Sequence, residues 1–289
     1  MLVVQTHNGT FHADEVFAIA LLKIIFKDKV KIIRSRDDNV KADLYIDVSG
    51  KFDGIKYFDH HFKEFNQYHD IDKKLPKASF GLIWDKYASK LINNPNIINK
   101  IRIMLVVPID SHDNNIKLCK YNESNYNAYT ISNVISAFNK NDENENEQFM
   151  EAVKIAETTI INAIDYVTEQ FRDEDTLKII FEEQRLLSDK TYVVLNTYYN
   201  YSNAIKDKKY SYITHLIFPE NNKWRAVCIK DNLTQNLKAP FPEEWGGLFN
   251  EELEEVSQIK GSVFCHRGLW IAVNDTKEGI IKMVEACFK

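Results

Sequence analysis

Short apolar runs alternate with longer apolar-rich stretches through the first half of the chain. Residues 2–6 read as a short buried strand and Ala13 to Phe26 as an apolar-rich helix. Val30 to Arg34, Leu44 to Val48 and Ile55 to Phe58 are further short runs rich in β-branched and aromatic residues, each predicted to be a strand. Phe80 to Leu91 and Ile97 to Val107 then supply helices. Strands alternating with helical stretches predict an α/β fold, with a mostly parallel sheet and helices on both of its faces.

The second half reads differently. Asn139 to Glu147 (NKNDENENE) is a polar, acidic run, read as a solvated loop insertion. A helical pattern follows from Gln148 to about Phe171, with Val153, Ile160, Ile164 and Val167 on related faces. Strand-like segments then recur at Tyr192 to Leu195, Tyr212 to Phe218, Trp224 to Ile229 and Leu269 to Val273, and Glu243 to Val256 reads as an acidic surface helix or loop. The expected organisation is a larger domain over 1–172, a linker over 173–189, and a smaller mixed α/β domain over 190–289.

Composition narrows the class. The chain has 289 residues, 44% hydrophobic and 27% charged, which is ordinary for a soluble globular protein. A formal charge of −5 argues against a protein that coats nucleic acid non-specifically, although a local basic groove would still meet phosphates. Cys119, Cys228, Cys265 and Cys287 are widely spread and form no CxxC pair, which fits a reducing compartment. No stretch approaches the ~20 consecutive apolar residues that span a bilayer, and no targeting segment precedes the first strand. The expectation is a cytoplasmic protein, with the nucleus as the alternative.

The candidate chemistry sits just after the predicted strands. The first motif, His7-Asn8-Gly9-Thr10-Phe11-His12-Ala13-Asp14-Glu15, places two imidazoles and carboxylates on one turn, a donor mix that suits a divalent metal. Asp47 opens Asp47-Val48-Ser49-Gly50, and Asp59-His60-His61 crowds three polar groups after Tyr57-Phe58. Asp110 to Asn114 adds two more carboxylates. Eight first candidates (His7, His12, Asp14, Asp47, Asp59, His60, His61, Asp110) are too many for one ion and suit two that share a carboxylate. Such a pair activates a water and clamps a phosphoryl group. No HExxH motif supports a peptidase instead.

Taken together, THNGTFHADE at 6–15, DVSG at 47–50, YFDHH at 57–61, SFGLIW at 79–84 and IDSHDN at 109–114 resemble the melanocyte-proliferating-gene (Myg) protein family, a branch of the DHH phosphoesterases that includes exonucleases. The likeness continues through WRAVCI at 224–229, FPEEWGGL at 241–248 and FCHRGLW at 264–270. It implies ligand roles for His7, His12, Asp14, Asp47, His60, His61 and Asp110, with Asp59 at the metal or its water and Asp113-Asn114 supporting the site. It also implies phosphate contacts from His266 and Arg267, with Arg225 and Lys238 beside them. The expected cofactors are two divalent ions, Mn²⁺ first and Mg²⁺ or Zn²⁺ as alternatives. The expected activity is a metal-dependent 3′–5′ exonuclease on RNA or short oligonucleotides, against a small-molecule phosphatase or pyrophosphatase, or a metal-bearing nucleic-acid-binding protein without turnover. No membrane partner is expected, and the oligomeric state is open, a dimer included. The chain departs from the family pattern at His112, usually apolar, at Asn115, usually glycine, at Gly246, usually arginine, and at Leu269-Trp270, which alter the end of the last motif.

Overall fold

The computed structural model describes residues 1–118, 128–140 and 144–288. Cys119 and residues 141–143 of the acidic run lie outside them. The chain divides into two compact units, Met1–Thr168 and Glu169–Lys289.

In the first unit, β1 (Leu2–Thr6) leads through a tight turn into α1 (Ala13–Phe26), which returns to β2 (Val30–Arg34). β3 (Leu44–Ile46) and β4 (Tyr57–Phe58) complete a four-stranded sheet in the order β2-β1-β3-β4, parallel at every pairing. All ten residues from Ala13 to Leu22 of α1 are buried, which explains why its apolar residues show no single stripe. A two-stranded hairpin follows, β5 (Tyr68–His69) with β6 (Asp72–Pro76), and was not foreseen from the sequence. α2 (Ser79–Tyr87) packs against α1 through Phe17 and Phe80, whose ring centroids lie 5.3 Å apart. α3 (Pro95–Ile101) starts on an Asn94 cap and passes through a π-helical turn over Arg102–Val106 into α4 (Val107–Asp113). Asp110 therefore stands on a helix, not just after a strand. The short α5 (Ile131–Ser136) is capped by Thr130.

The helix α6 (Glu145–Leu187) is 43 residues long. It runs well beyond Phe171, and the segment read as a linker is helical as far as Leu187. Its period persists because Leu177 and Phe181, one turn apart, are both fully buried. The division between units falls within this helix.

In the second unit, β7 (Tyr192–Val194), β8 (His215–Glu220), β9 (Lys223–Cys228), β10 (Ser262–Cys265) and β11 (Ile271–Asn274) form a mixed sheet in the order β10-β11-β9-β8-β7, with only β7 and β8 parallel. α7 (Asn250–Ser257) and α8 (Lys277–Ala286) complete the unit. Alternation along β8 and β9 sorts side chains to opposite faces. Leu216, Phe218 and Val227 join Leu177 and Phe181 of α6 in one apolar cluster. Ile217 and Ala226 join Ile280, Met283 and Val284 of α8 in another. α7 is acidic, as read, but Leu253 anchors it in the second cluster.

Candidate metal centre

His7, Asp47 and Asp59 are each the first residue beyond a strand of the parallel sheet, β1, β3 and β4. Adjacent strands thus deliver three polar side chains to the carboxyl edge of the sheet, where open α/β folds bind ligands. Asp47 has φ 57°, a left-handed conformation that aspartate adopts more readily than most residues. Backbone in this region carries strain, and the packing around Asp47 must hold it there.

Asp47 is the hub. Its Oδ2 lies 3.4 Å from His7 Nε2, and its Oδ1 lies 3.3 Å from both His60 Nε2 and His61 Nδ1. Ser79, the first residue of α2, donates its hydroxyl to Asp47 Oδ1 at 3.0 Å and its backbone N–H to Asp14 Oδ2 at 3.2 Å. Burial opposes the charge on Asp47, yet the three histidines hold its carboxyl well below the usual range. The same carboxylates outweigh burial at the imidazoles: Asp47 and Glu15 raise His7 to about 10, Asp113 and Asp47 raise His60 to about 9, and Asp47 and Asp59 raise His61 to about 10.

Among the described residues, three overlapping groups bring their donor atoms within 4.8 Å of one another: His7, His12, Glu15 and Asp47; Asp47, His60 and His61; and His12, Asp14 and Asp113. Asp47 and His12 each belong to two of them. The fit to a cation rests on the donors themselves. Asp14 is fully buried, its Oδ1 has no hydrogen-bond partner, and burial followed by Asp47, Asp113, Glu15 and Asp110 pushes its carboxyl well above the usual range. A carboxylate in that position calls for a positive charge beside it. His7 is oriented to be a ligand once a cation displaces its Nε2 proton, because its Nδ1 meets the Asn8 carbonyl at 3.0 Å and leaves Nε2 facing Glu15 and Asp47.

Three sequence-based expectations change. Asp110 stands outside all three groups; its Oδ2 lies 3.0 Å from Nε2 of the fully buried His69, and its Oδ1 accepts the Gly81 N–H at 3.1 Å. Burial raises Asp110 to about 6. Asp113, one helical turn on, is the residue of α4 that reaches the cluster, 3.1 Å from His60 Nε2. Asp59 also stands apart from the metal groups: its Oδ1 accepts the His61 backbone N–H at 2.9 Å and meets Nδ1 at 3.1 Å, while Oδ2 accepts the Gly50 N–H at 2.6 Å. It orients His61. Asn114 ties α4 to β6 by donating its side chain to the Asp110 and Pro76 carbonyls.

The acidic run is more than a solvated insertion. Asn139 brackets Phe11, accepting its N–H at 2.9 Å and donating to its carbonyl at 2.8 Å. Glu145 accepts the Gly9 N–H at 2.5 Å and pairs with Arg34 at 2.6 Å, and Arg34 donates to the Gly9 carbonyl while lying against the rings of Phe11 and Phe149. These contacts hold the turn that carries His7 and His12. Glu15, quoted within the first motif but given no role, and His69 and Ser79 are the site residues that the sequence reading missed. Glu15 also accepts the His12 backbone N–H at 2.8 Å, fixing the start of α1.

In the second unit, His266 lies on Trp270 with ring centroids 4.9 Å apart, and its Nδ1 accepts the Gly268 N–H at 2.8 Å. Arg267 is exposed. Arg225 is paired with Glu220, and Lys238 donates to the Ser211 and Ile213 carbonyls at 2.8 and 3.0 Å. Both cations expected to meet phosphate are engaged by the protein's own acceptors.

A family model described as "Uncharacterised protein family (UPF0160)", MYG1_exonuc, matches residues 3–288. The chain is similar to "MYG1 protein C694.04c" of Schizosaccharomyces pombe, 26% identical over 98% of this chain and 96% of that protein. It is 29% identical to "MYG1 protein" of Chlamydia muridarum, over 95% and 92% of the two chains. It is 26% identical to "MYG1 exonuclease" of Homo sapiens, over 98% and 85%. Among solved structures, RecJ from Thermus thermophilus in complex with Mg²⁺ covers 99% of this chain and 48% of its own, with 10% identity and a TM-score of 0.28, a likeness too slight to build on. With the family match running through both units and across every element that supplies the metal-binding cluster, this chain belongs to the MYG1 family.

Proposed function

We propose that the chain is a metal-dependent phosphodiesterase that removes nucleotides from the 3′ end of RNA or short oligonucleotides. The observation that carries this reading is Asp47, one carboxylate within 3.4 Å of His7, His60 and His61 and common to two donor groups. That arrangement would suit two divalent cations held around Asp47, and the relatives named as exonucleases support a nucleic-acid substrate. The mixed nitrogen and oxygen donors suit Mn²⁺, with Mg²⁺ or Zn²⁺ as alternatives. When bound, such ions make water acidic enough to attack phosphorus and neutralise charge on the phosphoryl oxygens.

The chain's own residues do the rest. His7, His12, Asp14, Glu15, His60, His61 and Asp113 would hold the cations around Asp47, and Ser79 fixes the carboxylate of Asp47. Asp59 holds His61 beside Asp47, and the rest of its exposed ring is open to substrate. In the second unit we assign a phosphate contact to Arg267, with His266 beside it, and none to Arg225 or Lys238.

The test uses single-stranded RNA and DNA of a few nucleotides, labelled at either end, with Mn²⁺ or Mg²⁺. Release of mononucleotides from the 3′ end is expected, and its loss in the His60→Ala/His61→Ala double variant. Hydrolysis of pyrophosphate without any oligonucleotide cleavage would select a small-phosphate enzyme instead. Activity surviving the double variant would remove the assignment.

A further inference from the structure

A cavity of about 280 Å³ in the first unit opens directly on the metal-binding cluster, since His12, His61 and Asp113 belong to both. Its far wall comes from α4 and α5. His112 and Asn115 border it at the end of α4, and Ser132 and Ser136, one turn apart, border it from α5. Asn115 has φ 57°, a left-handed conformation that asparagine adopts more readily than most residues, and it adds an amide to the wall. Ile109 supplies an apolar surface.

The character of the wall decides what it can hold. Among the described residues, no lysine or arginine lines the cavity. A phosphate group held away from the metal-binding cluster would need charge-assisted donors there. Hydroxyls, an amide and an imidazole instead offer both donors and acceptors, the complement of sugar hydroxyls and base edges. The exposed rings of His61 and His112 offer faces on which a base can stack. The volume lies near the lower limit of roughly 300 Å³ for small-molecule sites, enough for one small organic moiety and not for a run of nucleotides.

We infer that this cavity is a nucleoside subsite: it takes the uncharged sugar and base of one terminal nucleotide while the adjoining phosphate sits on the metal-binding cluster. The inference rests on the phosphodiesterase reading and sharpens it, because it makes a nucleoside part of the substrate and disfavours pyrophosphate. Ser132, buried, and Asn115 are the specificity-determining residues; His112 is the stacking one.

The test compares two chromogenic diesters with the same leaving group, thymidine 5′-(p-nitrophenyl phosphate) and bis(p-nitrophenyl) phosphate. For the wild-type chain with Mn²⁺, kcat/KM is expected to favour the nucleoside ester. In Ser132→Ala and in His112→Ala that preference should fall by roughly three- to tenfold, the effect of one lost hydrogen bond or stacking contact, and mainly through KM. An unchanged preference, or an equal loss on both esters, overturns the subsite. Binding of adenosine 5′-monophosphate and of inorganic phosphate by calorimetry separates the two readings. A chain that cleaves neither ester but binds the nucleotide, more weakly in Ser132→Ala, loses the phosphodiesterase assignment and keeps the subsite. A chain that cleaves both esters with no nucleoside preference keeps the activity and loses the subsite.

Discussion

The two units bury polarity in opposite ways. The first, among its described residues, places five carboxylates out of solvent, Asp14, Glu15, Asp47, Asp59 and Asp110, around the buried His7 and His69. The second, among its described residues, buries one carboxylate, Asp173, which accepts the Asn200 N–H at 2.8 Å and lies beside Arg172. Its buried imidazole, His215, sits between the rings of Phe241 and Phe288, and burial brings it down to about 4, so it is neutral near pH 7. Where charge has no ligand to meet, the fold excludes it. Where a cation is to be held, the fold crowds like charges at a strained residue and gives up stability to do so.

The comparison breaks most visibly at Asp47. Asn at this position tolerates the left-handed backbone and keeps an oxygen for Ser79, while Asp47→Asn removes the charge and the second carboxylate oxygen that faces His7. We expect phosphodiester cleavage to fall by on the order of 10³-fold, equivalent to several kcal/mol of transition-state stabilisation. The secondary structure, read by circular dichroism, should stay as in the wild type.

His215 tests the second unit. Its folded pKa lies below the ordinary 6.5, so the unfolded chain binds the proton more readily. Its neutral form therefore supports stability above pH 6.5, and that support is lost as pH falls from 6.5 towards 4, by up to about 3 kcal/mol. Urea titrations at pH 7 and pH 4.5 should show His215→Phe losing less stability on acidification than the wild type. Equal losses would show that another group governs the acid response.

Gly81 probes the packing behind the metal-binding cluster. A Cβ there would meet Asp110 Oδ2 at 2.0 Å and His69 Cε1 at 3.3 Å. Gly81→Ala should cost about 2 kcal/mol, the usual penalty of overpacking, and lower the melting temperature of the first unit. Full stability in this variant would mean that the His69–Asp110 pair moves freely.

The smallest effect has the opposite sign. Asp14→Asn replaces a buried carboxyl whose charge burial and its neighbours oppose, and leaves an oxygen for the Ser79 N–H. Metal-free protein should gain on the order of 1 kcal/mol, while metal affinity falls. A loss of metal-free stability would show that the carboxylates are not in conflict.

Much of the site could be read from the chain because strands end where chemistry begins. β1, β3 and β4 are short apolar runs, and His7, Asp47 and Asp59 follow them directly. The rest depends on contacts that no local pattern records. His69 sits on a two-residue strand in a polar hairpin, and only its approach to Asp110 gives it a role. Asp110 and Asp113 are one turn apart on α4, and which of them faces the metal-binding cluster depends on the rotation of a helix that follows a π turn. Asn139 and Glu145 look like solvent-facing residues until Phe11 and Gly9 are brought against them. The helical character of residues 173–187 was hidden for a simpler reason: Leu177 and Phe181 continue the helical period of α6, and an acidic surface obscured it.

Counting bound ions asks whether Asp47 serves two cations. Metal-free wild-type chain and Asp47→Asn are dialysed against Mn²⁺, and the bound ion is counted per chain. The account predicts two ions per wild-type chain and at most one in Asp47→Asn. No bound ion in the wild type, or two retained in Asp47→Asn, would contradict it.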